Sequence, residues 1–161
     1  MPVRSQRAIL LTKPPRSTAM TTWILVADES RARLFRATSR DGGIEVIATM
    51  EHAEGRLHPH ELTDQLPDSS HTAVGGIHHG FEPRMAAKEK VAREFAHELA
   101  ELLEADRVSH EFKELILVAD PRFLGLLRGA IGKDLSRLVT RSLARDYTQA
   151  TPEQISKFLE A

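Results

Sequence analysis

The chain has 161 residues, a hydrophobic fraction of 41%, a charged fraction of 28% and a net charge of −1 at pH 7. This length and balance are typical of one globular domain that its own core stabilises. Because the chain has no cysteine, disulfides, thiolate metal sites and cysteine nucleophiles are excluded. The near-zero net charge provides no global basic field for nucleic acid, so such binding requires a local patch.

The first twenty residues differ in composition from the rest. They contain basic residues and no acid, and Pro14-Pro15 follows Lys13. We predict a flexible basic tail over residues 1–20, or a true start at Met20, and one domain over residues 21–161; a targeting or nucleic-acid-binding arm is the alternative. The longest apolar run of the tail, Ala8–Leu11, is too short for a signal-peptide core or a membrane span. We therefore expect a cytoplasmic protein with no membrane partner.

Three strands are predicted at the start of the domain. Thr22–Ala27 is a short apolar run that ends at a turn, and Arg31–Ala37 alternates imperfectly between polar and apolar residues. Asp41-Gly42-Gly43 is a hairpin signal. The third strand, Ile44–Met50, is predicted from period-two alternation. Its predicted apolar face consists of Ile44, Val46, Ala48 and Met50.

A long segment, Glu51–Arg84, follows without apolar periodicity, and loops of this length in compact domains are usually functional or disordered. From Met85 onward the spacing of apolar residues predicts a helix. Its predicted buried stripe is Val91, Phe95, Leu99, Leu102 and Leu103.

The last third of the chain alternates strands and helices. Glu114–Ala119 is a continuous apolar run, which predicts a strand buried on both faces. Asp120 and Pro121 suit the cap and first position of a helix, and Arg137–Ala144 reads as a final strand. Thr151 and Gln154 predict a capping box at the last helix. The order βββ–loop–α–β–α–β–α predicts an α/β domain with a mixed sheet and helices on both faces, in three α/β/α layers.

Three segments resemble a known family. Trp23–Ala37 (WILVADESRARLFRA), Leu115–Arg128 (LILVADPRFLGLLR) and Arg145–Ile155 (RDYTQATPEQI) are similar to the family of proteins required for attachment to host cells. The resemblance covers about residues 22–161. It implies a ribonuclease-H-like fold, because that family in turn resembles the middle domain of archaeal and eukaryotic peptide-chain release factors and of Pelota-type rescue factors.

In release factors, the loop before the long helix carries a Gly-Gly-Gln motif that acts on the peptidyl-tRNA ester. The corresponding loop here contains Gly75, Gly76 and then Ile77. Isoleucine has no polar atom that could orient a water, so the resemblance does not transfer ester hydrolysis to this chain.

The same loop is rich in histidine. His58, His60, His78 and His79 are the candidate metal ligands, since imidazole binds zinc and related ions. The sequence favours a solvated flexible loop over a metal site, and a pH-sensitive or phosphate-contacting surface is the third alternative. No ligand motif of fixed spacing is present, and the sequence predicts no cofactor.

Two aspartates follow predicted strands. Asp28 comes after the first strand and Asp120 after the central one, so both are expected at one edge of the sheet, where ligands of α/β proteins bind. They are candidate catalytic residues, together with His78 and His79. The alternative is structural, with Asp28 as a turn residue and Asp120 as a helix cap.

Basic residues concentrate near predicted element ends, where they can contact RNA phosphates, or else serve as ordinary solvated charge. Aromatic residues that could stack on bases are scarce, which favours contact with the nucleic-acid backbone over readout of the bases. The predicted nucleic-acid-binding residues are Arg31, Arg33, Arg84, Lys88, Arg122 and Arg128, with Arg36, Lys90, Arg137 and Arg141 nearby.

The sequence favours a non-catalytic cytoplasmic module that binds RNA or the translation machinery, with the ribosome or tRNA as partner. An effect on host attachment would then be indirect. Two alternatives stay open: a hydrolase of tRNA-linked esters that uses the His-rich loop, and a metal-binding regulatory module.

Overall fold

A computed structural model of the chain describes residues 21–37, 43–52 and 82–160. The predicted tail, the Asp41-Gly42 turn and the loop with Gly75, Gly76 and the candidate histidine ligands lie outside the described residues. The strands are β1 (Thr22–Ala27), β2 (Arg31–Ala37), β3 (Ile44–Glu51), β4 (Glu114–Ala119) and β5 (Val139–Ala144). The helices are α1 (Glu82–Val108), α2 (Pro121–Ala130), α3 (Lys133–Leu138) and α4 (Pro152–Glu160).

The five strands form one mixed sheet in the order β3-β2-β1-β4-β5. β2 is antiparallel to both of its neighbours, whereas β1, β4 and β5 are parallel. This confirms the predicted α/β class and its mixed sheet. β1 lies in the centre of the sheet, between β2 and β4. Because β1 and β4 are parallel neighbours, their carboxyl ends lie at the same edge of the sheet, and the loops after them meet there.

Helices cover both faces of the sheet. α1, α2 and α3 pack on one face over the larger core, which includes Leu25, Phe95 and Leu117. α4 packs on the other face over a smaller core around Ile24, Phe35 and Ile155. β1 and β4 are almost wholly buried for this reason, which agrees with their continuous apolar sequences.

Local capping signals are reproduced in the fold. The Asp120 carboxylate accepts hydrogen bonds from the backbone N–H groups of Arg122 and Phe123, so it caps α2 as predicted. Thr151 and Gln154 exchange the two hydrogen bonds of a capping box at α4. These polar contacts satisfy backbone donors that a helix start leaves without intrahelical partners.

The predicted final strand began too early. Arg137 lies in α3, and β5 begins at Val139. The reason is that Leu135 and Leu138 are three residues apart, so a helical turn places both of them toward the core. The apolar periodicity of α1 starts at Met85, and the helix itself begins at Glu82, beside Pro83, a residue that suits the first turn of a helix.

The predicted apolar face of β3 was also wrong. The pairing with β2 shifts by one residue, so that Leu34 faces Ala48 and Phe35 faces Val46. The extra residue, Ile47, forms a β-bulge, which exchanges the two faces of the strand. Ala48 and Met50 therefore lie in the larger core with Ile47, whereas Ile44 packs on the α4 side and Val46 is 41% exposed.

Candidate functional site

The two candidate aspartates lie at one edge of the sheet, as the sequence predicted. Asp28 and Asp120 directly follow Ala27 and Ala119, which are register partners in the parallel β1–β4 pair. Their side chains serve different local structures, however. Asp120 caps α2, whereas Asp28 organises the β1–β2 turn.

Asp28 uses both carboxylate oxygens. One accepts hydrogen bonds from Ser30 N at 2.7 Å, Ser30 Oγ at 3.0 Å and Arg31 N at 2.8 Å. The other lies 3.1 Å from the hydroxyl of Thr148, which is buried and lies 2.8 Å from an Asp146 oxygen. A hydroxyl has one proton, so Thr148 donates to one carboxylate at a time. This network joins the β1–β2 turn to the segment before α4.

On the other side of the same edge, charged residues pair with each other. Lys88 Nζ lies 3.0 Å from Glu29, and Arg122 lies 3.8 Å from Glu89. These four side chains line a small cleft with Asp120. Two of the predicted nucleic-acid-binding residues, Lys88 and Arg122, thus have carboxylate partners, which reduces their availability to phosphates.

The guanidinium of Arg33 binds backbone carbonyl oxygens of the same protein. Its Nη2 donates hydrogen bonds to the carbonyl oxygens of Tyr147 and Ala150, and its guanidinium carbon lies 5.2 Å from the centre of the Phe35 ring. Burial, and then the charge of Arg31, lowers the pKa of the Arg33 guanidinium. An arginine remains charged at neutral pH despite such a shift. Its observed role is to hold the segment that precedes α4.

A second region lies at the outer edge of the sheet. The first residues of β5, the end of α2 and one residue of α3 enclose a polar groove of about 390 Å³. Two arginines and three hydroxyls line it, and no acid is among its described lining residues. We call it the β5 groove; its residues are Arg128, Ile131, Ser136, Val139, Thr140, Arg141 and Ser142.

A β-bulge shapes the β5 groove. Val139 pairs with Leu115 and Arg141 with Ile116, so Thr140 is the extra residue. The bulge turns Arg141 to the α4 face, where its Nη1 donates to the Leu159 carbonyl oxygen at 2.8 Å. Bulges often re-aim side chains at sheet edges in this way.

The arginines of the β5 groove differ from Lys88 and Arg122, the cations of the cleft beside Asp120. Neither Arg128 nor Arg141 forms an ion pair with a carboxylate of residues 21–37, 43–52 or 82–160. Ser142 Oγ is buried and has no hydrogen-bond partner within those ranges. Within those ranges Arg128 is therefore without an ion pair, and Arg141 has N–H groups besides the Nη1 that donates to Leu159.

The predicted basic residues are divided among these places. Arg128 lies with Arg141 in the β5 groove, and Arg31 and Arg33 lie on the α4 side of β2. Lys88 and Arg122 line the cleft beside Asp120. Arg84 lies in the first turn of α1. The structure therefore does not bring the whole predicted set onto one surface.

Sequence reasoning did not identify Ser136, Thr140 and Ser142 as site residues. No local signal distinguishes them, because an arginine between Val139 and Leu143 also fits an edge strand without a bulge. The bulge depends on the register of β5 against β4, and the bulge shapes the groove.

One histidine of the segment Glu51–Arg84 is described, and it is not among the four candidate metal ligands. His52 is 4% exposed and stacks on Phe95, with ring centroids 4.9 Å apart and an angle of 6° between the planes. Across residues 21–37, 43–52 and 82–160, no group of three or more His, Asp or Glu side chains is arranged to hold a metal ion. Of the helices found there, none is long and apolar enough to cross a bilayer.

A protein sequence from another organism is similar to about half of this chain. The chain is 29% identical over 79 residues to an uncharacterized protein of Rickettsia prowazekii (strain Madrid E). That match covers 48% of this chain and 53% of the relative, so the aligned region spans about half of the relative's length.

Two solved structures are similar at low sequence identity. The crystal structure of the archaeal translation termination factor aRF1 is 12% identical with a TM-score of 0.49, over 88% of this chain and 35% of that one. A structure described as "Archaeal protein" is 11% identical with a TM-score of 0.45, over 85% of this chain and 33% of that one. This chain thus spans about a third of the length of either structure.

A family model described as "Protein required for attachment to host cells" matches residues 23–159. The matched region runs from the second residue of β1 to the last residue but one of α4, so it includes all but one residue of the sheet, both candidate aspartates and the β5 groove. The chain therefore belongs to the family of proteins required for attachment to host cells.

Proposed function

We propose that this protein is a non-catalytic cytoplasmic module that binds RNA through phosphate contacts in the β5 groove. The main observation behind the proposal is that Arg128, Arg141 and three hydroxyl side chains line the same groove, and that no acid is among its described lining residues. Guanidinium groups and hydroxyls are among the groups that contact nucleic-acid phosphates.

The charge distribution supports this site over the others. Lys88 and Arg122 have carboxylate partners, and Arg33 donates to backbone carbonyl oxygens. A cation that already has an anionic partner gains less from a phosphate, because the existing pair must first be broken. In the β5 groove, Arg128 and Arg141 have no carboxylate partner among the described residues, and Arg141 donates to the Leu159 carbonyl oxygen through Nη1 alone.

The contacts of the two candidate acids, Asp28 and Asp120, support the non-catalytic part of the proposal. One oxygen of Asp28 accepts hydrogen bonds in the β1–β2 turn and the other contacts the Thr148 hydroxyl, and Asp120 accepts two hydrogen bonds at a helix start. Their observed contacts account for both side chains structurally. The sequence resemblance to release-factor middle domains makes ribosomal RNA or tRNA the RNA that we propose, and an effect on attachment to host cells is then indirect.

The first test is co-sedimentation with purified ribosomes, combined with fluorescence anisotropy on a structured RNA at two salt concentrations. We expect binding that weakens steeply as salt rises, because neutralised phosphates release counterions. Arg128→Gln should weaken binding and lower the slope of log K against log salt by about one, as expected for one lost phosphate contact.

The matched control is Arg93→Gln. Arg93 is exposed on α1 and pairs with Glu89 at 3.0 Å, so this variant makes the same change of charge away from the groove. It should bind like the wild type. The absence of association with both ribosomes and RNA would contradict the proposal, as would equal losses in the two variants.

A further inference from the structure

We infer that the β5 groove is selective for double-stranded RNA over single-stranded RNA and over double-stranded DNA. The inference rests on the proposed function and adds the form of nucleic acid that the site takes. It follows from three features of the groove: its described lining has no aromatic ring, it contains hydroxyls, and its two arginines lie on either side of a bulged strand edge.

Proteins that bind single strands usually stack bases on exposed aromatic rings. No aromatic side chain is among the described residues that line the groove. Trp23 packs on Phe112 in the core, and Tyr147 packs on Phe158 beneath α4 with centroids 4.4 Å apart. The described rings are thus engaged in packing, and the groove has no platform for an unpaired base.

The hydroxyls fit the ribose of RNA. Ser136, Thr140 and Ser142 can each donate and accept a hydrogen bond, as can the ribose 2′-hydroxyl. Ser142 Oγ is buried without a described partner, and such atoms are uncommon in native proteins unless a ligand or water satisfies them. DNA has no 2′-hydroxyl, so it leaves these side chains without that contact.

The strand edge fits the shape of an RNA duplex. The minor groove of A-form RNA is wide and shallow and displays 2′-hydroxyls between two rows of phosphates. In β5, the bulge at Thr140 places Arg141 on the α4 face, whereas Ser142 pairs with Leu117 on the face covered by α2. Arg128 comes from the last turn of α2. The groove thus has one arginine on each face of the strand edge and hydroxyls near that edge, which we compare with the phosphates on either side of the 2′-hydroxyls.

The test compares three probes of one sequence: a short blunt RNA duplex, its single strand, and the DNA duplex. We expect the RNA duplex to bind about tenfold more tightly than either of the others, the size of effect that one or two hydrogen bonds produce. Equal or tighter binding of the single strand or of the DNA duplex would overturn the inference and leave the proposed function standing. Failure of every RNA probe to bind would instead overturn the proposed function.

Variants that lack one hydroxyl of the β5 groove test which side chains provide the selectivity for RNA duplex. Ser142→Ala and Thr140→Val should each reduce the preference for RNA duplex over DNA duplex by about threefold or more, without a change in the salt dependence. Ser109→Ala, at an exposed turn after α1, is the matched control and should keep the full preference. Circular dichroism and urea unfolding establish that each variant is folded. An unchanged preference in both folded groove variants would contradict the assignment of the hydroxyls.

Discussion

Arg33 donates a hydrogen bond from its guanidinium to the carbonyl oxygen of Tyr147, 3.1 Å away and 114 residues later in the chain. The same nitrogen donates to the carbonyl oxygen of Ala150. Both acceptors lie in the segment between β5 and α4. One side chain of β2 therefore positions the start of the helix that covers this face of the sheet.

Replacement of Arg33 by methionine should destabilise the domain. The substitution leaves two carbonyl oxygens without their charged donor, and we expect the free energy of unfolding to fall by about 2 kcal/mol. Urea unfolding measures this. Arg36→Lys on the same strand is the control, because Arg36 pairs with Glu45 at the surface and lysine retains the charge. A loss in Arg36→Lys as large as that in Arg33→Met would contradict the role of Arg33.

Thr148→Val tests the network that joins Asp28 to Asp146. Valine has nearly the same shape as threonine but no hydroxyl, so the two carboxylates lose their common contact at a buried position. We expect a loss of about 1–3 kcal/mol in the free energy of unfolding. Thr148→Ser retains the hydroxyl and should lose less. If serine is worse than valine, packing of the methyl group rather than hydrogen bonding determines the role of Thr148.

Phe123→Ala tests the contact between α2 and α1. The Phe123 ring is 2% exposed and lies 5.9 Å from the ring of Phe95, centroid to centroid. Removal of a buried ring leaves a cavity, and we expect a loss of about 4 kcal/mol in the free energy of unfolding. Val108→Ala, at a 60% exposed position, should change it by less than about 0.5 kcal/mol. Similar values for the two variants would contradict the core assignment.

The pKa of Glu104 should depend on Arg107. Arg107 donates two hydrogen bonds to the Glu104 carboxylate, at 2.6 and 2.9 Å, and these contacts and the positive charge lower the pKa of Glu104. Because the pKa is lower in the folded state, this contribution is present above the unfolded pKa and is lost as pH falls through the folded one.

Arg107→Gln should therefore raise the pKa of Glu104 toward its ordinary value, and an NMR titration of the carboxyl carbon measures it. Arg93→Gln, whose partner is Glu89, is the control and should leave the Glu104 value unchanged. Equal values in wild type and Arg107→Gln would show that the observed contacts do not persist in solution.

Local sequence patterns predicted the elements because local interactions decide them. The Asp120 cap and the Thr151–Gln154 capping box depend on residues two or three positions apart. The apolar runs of β1 and β4 predicted strands buried on both faces, since only a central strand of a covered sheet has that composition. The same reasoning placed Asp28 and Asp120 at one edge, because parallel strands end together.

The roles of individual polar residues could not be predicted in this way. Arg33 and Lys88 look alike in sequence as exposed cations, yet Arg33 donates to backbone 114 residues away and Lys88 pairs with Glu29. Such partners are brought together only when the sheet and helices assemble, so no local pattern reports them.

By itself, the sequence determined the class of fold, the order of its elements and the family resemblance, because these depend on periodicity, capping and motifs along the chain. Tertiary structure alone decided the bulges at Ile47 and Thr140 and the β5 groove. A bulge depends on how one strand registers against its neighbour, and one inserted residue reverses every later side chain. The groove that follows from this register is where we expect the function to lie.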